Sequence, residues 1–336
     1  MEWKLILDLQ EVESQFNVMR NNDITVILDD EKIKKSLYIK DVITVVEDGF
    51  RKKGLGLVNL PQKMGPKLSL KGAFADSMSV SVCNDKGKLE AFGIKWISGF
   101  TSNIDKGIPY LNSIVVLNEP VYGLPIAVLR GSWITAVRTA GVSAVCAKYL
   151  APRKKDITVG IFGLGVQAYV HVLAFEQIFN KPKFLLYNHG ENFLNDFTKK
   201  FPRKNFDSSK DSHEVVQNSD VILSATPFPS KITPYIYEKD LKDDVLILPL
   251  EYGTRIDPKL YKCLDEIYTD DISQYELKNK LRHYFPPNTP KIKKEMGELI
   301  ANKYKRKDRA KRILVFNLGI ALFDILTARL VLSKIK

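Results

Sequence analysis

Hydrophobic positions along the chain change rhythm twice. Up to residue 130, short alternating runs between turn residues predominate, such as Ala91-Phe-Gly-Ile-Lys-Trp-Ile97 and Ser113-Ile-Val-Val-Leu117, the latter stopped by Asn118-Glu-Pro. Alternation of this kind predicts strands of a mostly antiparallel sheet. Over 132–150 the residues are small, apolar and free of proline, which predicts a closely packed helix ended before Pro152. Then Asp156-Ile-Thr-Val-Gly-Ile-Phe162 runs into Gly163-Leu-Gly-Val-Gln-Ala168, a sequence of strand, tight turn and helix. Beyond it the spacing predicts helices at 166–179, 191–201 and 211–218, alternating with strands at 183–187, 220–226 and 244–250. Strands separated by helices imply a doubly wound parallel sheet. Residues 282–290 are turn-rich, and 313–335 are apolar at helical spacing with Gly319 inside.

The 336 residues, 45% of them hydrophobic, suffice for one large domain or two ordinary ones. A formal charge of +12 points to an anionic partner: a phosphate-bearing cofactor, a carboxylate substrate or nucleic acid. Cys83, Cys146 and Cys263 are far apart and include no Cys-x-x-Cys pair, which fits a reducing cytosol rather than a disulfide framework or a zinc site. The four histidines lack metal-binding spacing, so no metal is expected, and no Gly-x-Ser-x-Gly elbow is present. The N-terminus does not read as a signal peptide, and no apolar window is long enough to span a bilayer.

The glycine turn carries the first chemistry. Gly163 would allow the turn, Gly165 would let the backbone approach a diphosphate, and Ala168 would let the helix pack closely on the sheet. The anion would then sit at the helix N-terminus. At the end of the second strand, Tyr187-Asn188-His189 offers no acid to repel a 2′-phosphate, which favours NADP over NAD; the same residues would also serve as a plain turn before Gly190. Arg138 stands in an otherwise small, apolar helix and needs an anionic partner, either a substrate carboxylate or an internal acid. For Lys95 and Lys63, a solvated position is the commoner state of a lysine. The basic run at 303–312 could touch phosphates, but charge runs of this kind are more often solvated faces, and its poor aromatic interleaving makes nucleic acid an unfavoured partner.

Together these motifs resemble the ornithine cyclodeaminase and mu-crystallin family. The resemblance runs through Gly93-Ile-Lys-Trp-Ile-Ser-Gly99, Ile114-Val-Val-Leu-Asn-Glu-Pro120 with Gly123-Leu-Pro125, and Trp133-Ile-Thr-Ala-Val-Arg-Thr-Ala140. It continues through Gly163–Ala168, Gly297-Glu-Leu-Ile300 and Asn317-Leu-Gly-Ile-Ala321 with Asp324. It implies an α/β fold in which a Rossmann-type doubly wound parallel sheet, residues 133–312, is inserted into an α+β substrate and dimerisation domain made of 1–132 plus 313–336. It also implies a cytoplasmic homodimer that exchanges hydride between NAD(P) and the α-carbon of a small amino or imino acid, as an imine reductase or amino-acid dehydrogenase. An ornithine or lysine cyclodeaminase, and a dinucleotide-dependent binding protein like mu-crystallin, are the alternatives. By the resemblance, Lys95 and Arg138 hold the substrate carboxylate, Lys63 takes the place of a further arginine, and Asp76 and Met78 align with a Glu-x-Met pair. The catalytic acid after strand 244–250 falls on Glu251 or on Gly253, and Glu251, with Lys95, is the expected catalytic pair. Cofactor contacts are expected from Thr139, Gly163, Leu164, Gly165, Val166, Gln167, Ala168, Asn188, His189, Ala225, Thr226, Asn317 and Leu318.

Overall fold

A computed structural model of the chain describes residues 25–187, 190–202, 204, 206–227, 233–280, 285, 289–306 and 311–335. The N-terminal residues 1–24 and the pair Asn188 and His189 lie outside the described residues. The first sheet has six strands: β1 (Val26–Leu28), β2 (Val58–Asn59), β3 (Ala73–Cys83), β4 (Leu89–Phe100), β5 (Leu111–Asn118) and β6 (Pro125–Arg130), in the order β1-β6-β5-β4-β3-β2. It is antiparallel apart from the β1–β6 pair. Along β4 the buried positions are Ala91, Gly93, Lys95, Ile97 and Gly99, while Trp96 faces out. Lys95 therefore occupies the inward phase of its strand with no exposure, against the surface position expected of a lysine.

Between β1 and β2 come α1 (Asp30–Ser36) and α2 (Ile39–Gly54), and after β6 comes α3 (Gly131–Leu150). The stretch containing α2 was expected to hold strands and turns. It is helical because Val42, Ile43, Val46 and Phe50 form one stripe that is buried against the rest of the core. The small residues of α3 allow close approach: a Cβ on Gly141 would stand 3.2 Å from the methyls of Val42 and Val46.

The second sheet has seven parallel strands: β7 (Thr158–Phe162), β8 (Lys183–Tyr187), β9 (Phe206–Ser209), β10 (Val221–Ser224), β11 (Val245–Pro249), β12 (Glu266–Thr269) and β13 (Arg312–Phe316). Their order is β12-β13-β11-β10-β7-β8-β9. The chain builds outward from β7 in one direction and returns to build from β10 in the other, so a crevice opens at the carboxyl ends of these neighbours, where doubly wound sheets take their ligands. The helices that follow are α4 (Val166–Ile178), α5 (Glu191–Thr198), α6 (Ser212–Asn218), α7 (Ile272–Lys280), α8 (Met296–Ala301) and α9 (Ala321–Ile335). One apolar core continues from the covered face of the first sheet, past α3, to the near face of the second, where Ile161, Leu223 and Leu248 point. A separate core of Phe162, Ile222, Ile247 and Phe316 fills the far face.

The expected helix over 313–335 is in fact two elements. Arg312–Phe316 is a strand of the second sheet, Gly319 turns the chain at φ +73°, and only Ala321–Ile335 is helix. The return to the first body, expected at 313, thus begins at α9, which packs on β4, α2 and α3. Of the basic run at 303–312, residues 307–310 lie outside the described residues, and the basic side chains immediately on either side of them are paired. Arg306 is buried and bonded to Leu150 O and Asp244, Lys311 reaches Glu266 at 2.7 Å, and Arg312 pairs with Asp243 at 3.1 Å. Among the described residues no helix is long and apolar enough to cross a membrane.

Candidate active site

Four segments distant in sequence meet where α3 and α9 pass between the two sheets. Lys95 Nζ donates to Asp324 Oδ2 at 2.6 Å, and Arg138 Nε donates to Asp324 Oδ1 at 3.0 Å. Lys95 and Asp324 are fully buried, and Arg138 nearly so. Two cations against one carboxylate leave a single positive charge. Burial pulls the Lys95 amine down to about 7, with Asp324 holding it up and Arg138 adding to the fall. Among the described residues the guanidinium makes no side-chain hydrogen bond besides that to Asp324, so its two terminal nitrogens remain for another anion. They lie against Gly319, where a Cβ would stand 2.9 Å from Nη1. This resolves the open question about Arg138: it has an internal acid and retains donors in a fork that suits a carboxylate.

The turn at 317–320 is the hub of the site. Asp270, buried at the end of β12, accepts from Leu318 N at 3.0 Å and from Gly319 N at 2.8 Å. Burial raises its carboxyl, and these two amides and Lys63 oppose the rise. Leu318 O accepts from Lys63 Nζ at 2.8 Å. Removal from water brings the Lys63 amine down to about 8; Asp270 works against this, and Lys278 and Arg138 add to it. Met78 is buried directly across the β3–β4 ladder from Lys95, and Asp76, two residues earlier on the same face, lies 3.7 Å from Lys278 Nζ. Lys63, Asp76, Met78, Lys95 and Arg138 therefore lie around one region of the structure. Asp324, Asp270 and Lys278 were not assigned roles from the sequence. Asp324 carried a usable signal, since an acid in an apolar helix needs a cation for the same reason that Arg138 needs an anion.

Across the crevice lies the glycine turn. Gly163 has φ +89°, and a Cβ there would fall 2.6 Å from Ala225 O; Gly165 has open space around its Cβ position. Gly165 caps α4 without a side-chain bond, and Val166 is exposed at the helix start. Ala168 is fully buried, as close packing on the sheet requires, and Leu164 packs at the edge of the core. Ala225 N donates to Phe162 O, Thr226 Oγ1 accepts from Arg255 Nε, and Thr139 Oγ1 is turned back to Thr135 O. Two buried polar atoms facing this region, Gln167 Oε1 and Asn317 Nδ2, have no hydrogen-bond partner among the described residues. An open backbone cradle with unsatisfied polar atoms nearby fits a dinucleotide.

The expected acid does not join this arrangement. Glu251 points under the sheet, 1% exposed, among Ser224, Arg255 and Tyr261, and burial raises its carboxyl to about 8. Its neighbour Tyr252, at φ +58°, packs on the edge of the far-face core and donates to Leu318 O at 3.3 Å. Gly253, the other alignment of the acid, is held at φ +78° against Tyr261 and Phe316. Among the described residues, no group of three or more His, Cys, Asp or Glu side chains is placed to hold a metal ion.

A doubly wound sheet whose switch-point crevice faces a buried cation cluster defines a two-body α/β protein with an anion site beside a nucleotide-type cradle. The profile of the ornithine cyclodeaminase/mu-crystallin family matches residues 24–336, and the chain belongs to this family. It is 28% identical over 211 residues to alanine dehydrogenase of Archaeoglobus fulgidus, an alignment covering 60% of each chain. It is 29% identical over 258 residues to Delta(1)-pyrroline-2-carboxylate reductase of Bacillus cereus, covering 72% of this chain and 76% of that one. The solved Delta(1)-pyrroline-2-carboxylate reductase of Thermococcus litoralis, in complex with NADH and L-proline, superposes with a TM-score of 0.78 at 24% identity, over 92% of this chain and 97% of that one.

Proposed function

We propose that this protein is an NAD(P)-dependent oxidoreductase that reduces a small α-imino acid, or oxidises the matching α-amino acid, at the α-carbon. The observation that carries this reading is Arg138, bonded to Asp324 through Nε while its two terminal nitrogens lie against the turn at Gly319. The two terminal nitrogens of the Arg138 guanidinium match the two oxygens of one substrate carboxylate. Arg138 and Lys63 would fix that carboxylate from two sides, and Lys95 and Asp324 would hold the guanidinium in place. Orienting the α-carbon is most of what a protein must do for hydride transfer. A nicotinamide dinucleotide bound by residues 163–168, with Thr226 and Asn317 nearby, would supply the hydride. The relatives named above favour the same chemistry.

Consumption of NADH and of NADPH is to be followed with cyclic ketimine acids and with 2-oxo acids plus ammonia. Turnover of at least one is expected, and Arg138→Ala should raise KM at least about 30-fold, on the scale of a charge-assisted pair, while dinucleotide affinity stays within about threefold. No turnover despite dinucleotide binding, or equal loss of dinucleotide binding in the variant, would defeat the reading. Ammonia release from ornithine without net change in the dinucleotide would point to cyclodeamination instead. The outer face of the first sheet exposes Trp96 and Ile114, paired across β4 and β5, and we assign this face to a second copy of the chain, a homodimer testable by sedimentation.

A further inference from the structure

We propose that the phenol of Tyr252 is the proton donor of this site, delivering its proton to the substrate nitrogen beside the carbon that receives hydride. The inference rests on the reading above and assigns the role left vacant by Glu251. After Glu251 the backbone is left-handed at Tyr252, φ +58°. The Tyr252 ring packs on the edge of the far-face core, and its hydroxyl reaches from there to the turn at 317–320. The Tyr252 ring is stacked on Phe285, centroids 5.2 Å apart and 7° from parallel, which fixes where the hydroxyl points. Oη reaches Leu318 O, the atom that also accepts from Lys63 Nζ. The next residue, Gly319, lies against the Arg138 guanidinium. Tyr252, Lys63 and Arg138 thus surround one peptide unit, and a carboxylate taken by Arg138 places the adjoining carbon and nitrogen within this group.

The hydroxyl suits the task. It donates to Leu318 O at 3.3 Å, a carbonyl that already accepts from Lys63 Nζ, so the phenol and the ammonium lie at one acceptor. Burial, Asp270 and Asp76 raise the phenol's pKa, so it remains protonated at neutral pH. When the carbon of a C=N bond is reduced by hydride, the π pair becomes a lone pair on nitrogen. The Tyr252 O–H bond then breaks as the N–H bond forms, leaving a phenolate. The Lys63 ammonium, sharing the same carbonyl acceptor, returns a proton to that phenolate, and Lys63, half-buried, is recharged from solvent. The two electrons come from the reduced nicotinamide dinucleotide. One hydride and one proton are taken up in total.

The test uses pyridine-2-carboxylate, whose ring nitrogen lies next to a carboxylate-bearing carbon as in a cyclic imine, and benzoate, which has the carboxylate without the nitrogen. Calorimetric titration of the whole protein should show pyridine-2-carboxylate bound about tenfold tighter, the scale of one hydrogen bond. In Tyr252→Phe the preference should fall to about one, with benzoate affinity unchanged, which shows that the site is intact. With a turned-over imine, the same variant should lose at least about 100-fold in kcat, within the range for general acid catalysis, with KM within about threefold. A preference retained in Tyr252→Phe, a wild type with no preference, or a preference lost in Glu251→Gln instead would overturn the assignment. If the preference behaves as expected but no imine is reduced, the oxidoreductase reading fails and Tyr252 stands as the nitrogen's donor.

Discussion

The two halves of the site are built on opposite principles. The cradle at Gly163–Ala168 is continuous in sequence and made of backbone: a positive φ, a position with no Cβ, a bare helix start. The cation cluster is made of side chains from β4, α3, α9 and the loops holding Lys63, Asp270 and Leu318, drawn from segments more than 200 residues apart. Backbone recognition tolerates most side-chain changes but not a change of φ. Side-chain recognition tolerates backbone variation but not the loss of one charge, because each cation is buried only by virtue of its partner. Lys95 needs Asp324 more than any ligand does.

This contrast breaks first, and hardest, at Asp324. Asp324→Ala leaves two buried cations without their carboxylate, and unfolding free energy by denaturant titration should fall by about 3–5 kcal/mol. A loss under about 1 kcal/mol would show that the cations are solvated in place, and the cluster is not wired as described. The cradle should fail differently. In Gly163→Ala a side chain must enter a left-handed conformation with its Cβ 2.6 Å from Ala225 O, at a cost of about 1–2 kcal/mol from the backbone alone. Dinucleotide affinity should drop at least about tenfold, while benzoate binding at the cation cluster stays within about threefold. Equal loss of both ligands would mean that the two halves fold as one unit.

The same contrast decides what could be read from the sequence. The cradle was legible because its pattern is local: an apolar strand, glycines, then an apolar helix within about a dozen residues. Arg138 was legible as an anomaly, a charge in a helix of small residues, and only its partner was hidden. Lys95 was harder, because the fact that it shares the inward phase of Ala91 and Ile97 matters only once that face is known to be covered. Helix α2 is rich in β-branched residues, which locally resemble strand, and packing against α3 and α9 overrides that propensity. The 313–335 stretch is apolar throughout since β13 is covered on both faces and α9 is buried, so periodicity does not separate them; only Gly319 marks the break. The hydroxyl of Tyr252 meets Leu318 O across 66 residues of sequence, a contact that no spacing rule supplies.

The smallest effect tests whether Lys63 belongs to the anion site or only braces the loop. Its amine is charged below about 8 and neutral above, and Lys95 in the same cluster loses its proton near 7, so benzoate affinity should fall in two steps as pH rises, of which the one near 8 belongs to Lys63. That step should be about five- to tenfold, the contribution of one charge-assisted hydrogen bond, because Arg138 does not titrate in this range. Lys63→Arg should remove the step near pH 8 and leave the one near 7, since a guanidinium keeps its proton. Stability must move the other way. A lysine whose folded pKa lies below its unfolded value, about 10.4, binds fewer protons folded than unfolded between those two values, so unfolding free energy rises as pH climbs from about 8 toward about 10. Affinity falling while stability rises over the same interval is the signature of a cation held out of water for a ligand. A brace for Leu318 would show the stability change with benzoate affinity flat across it.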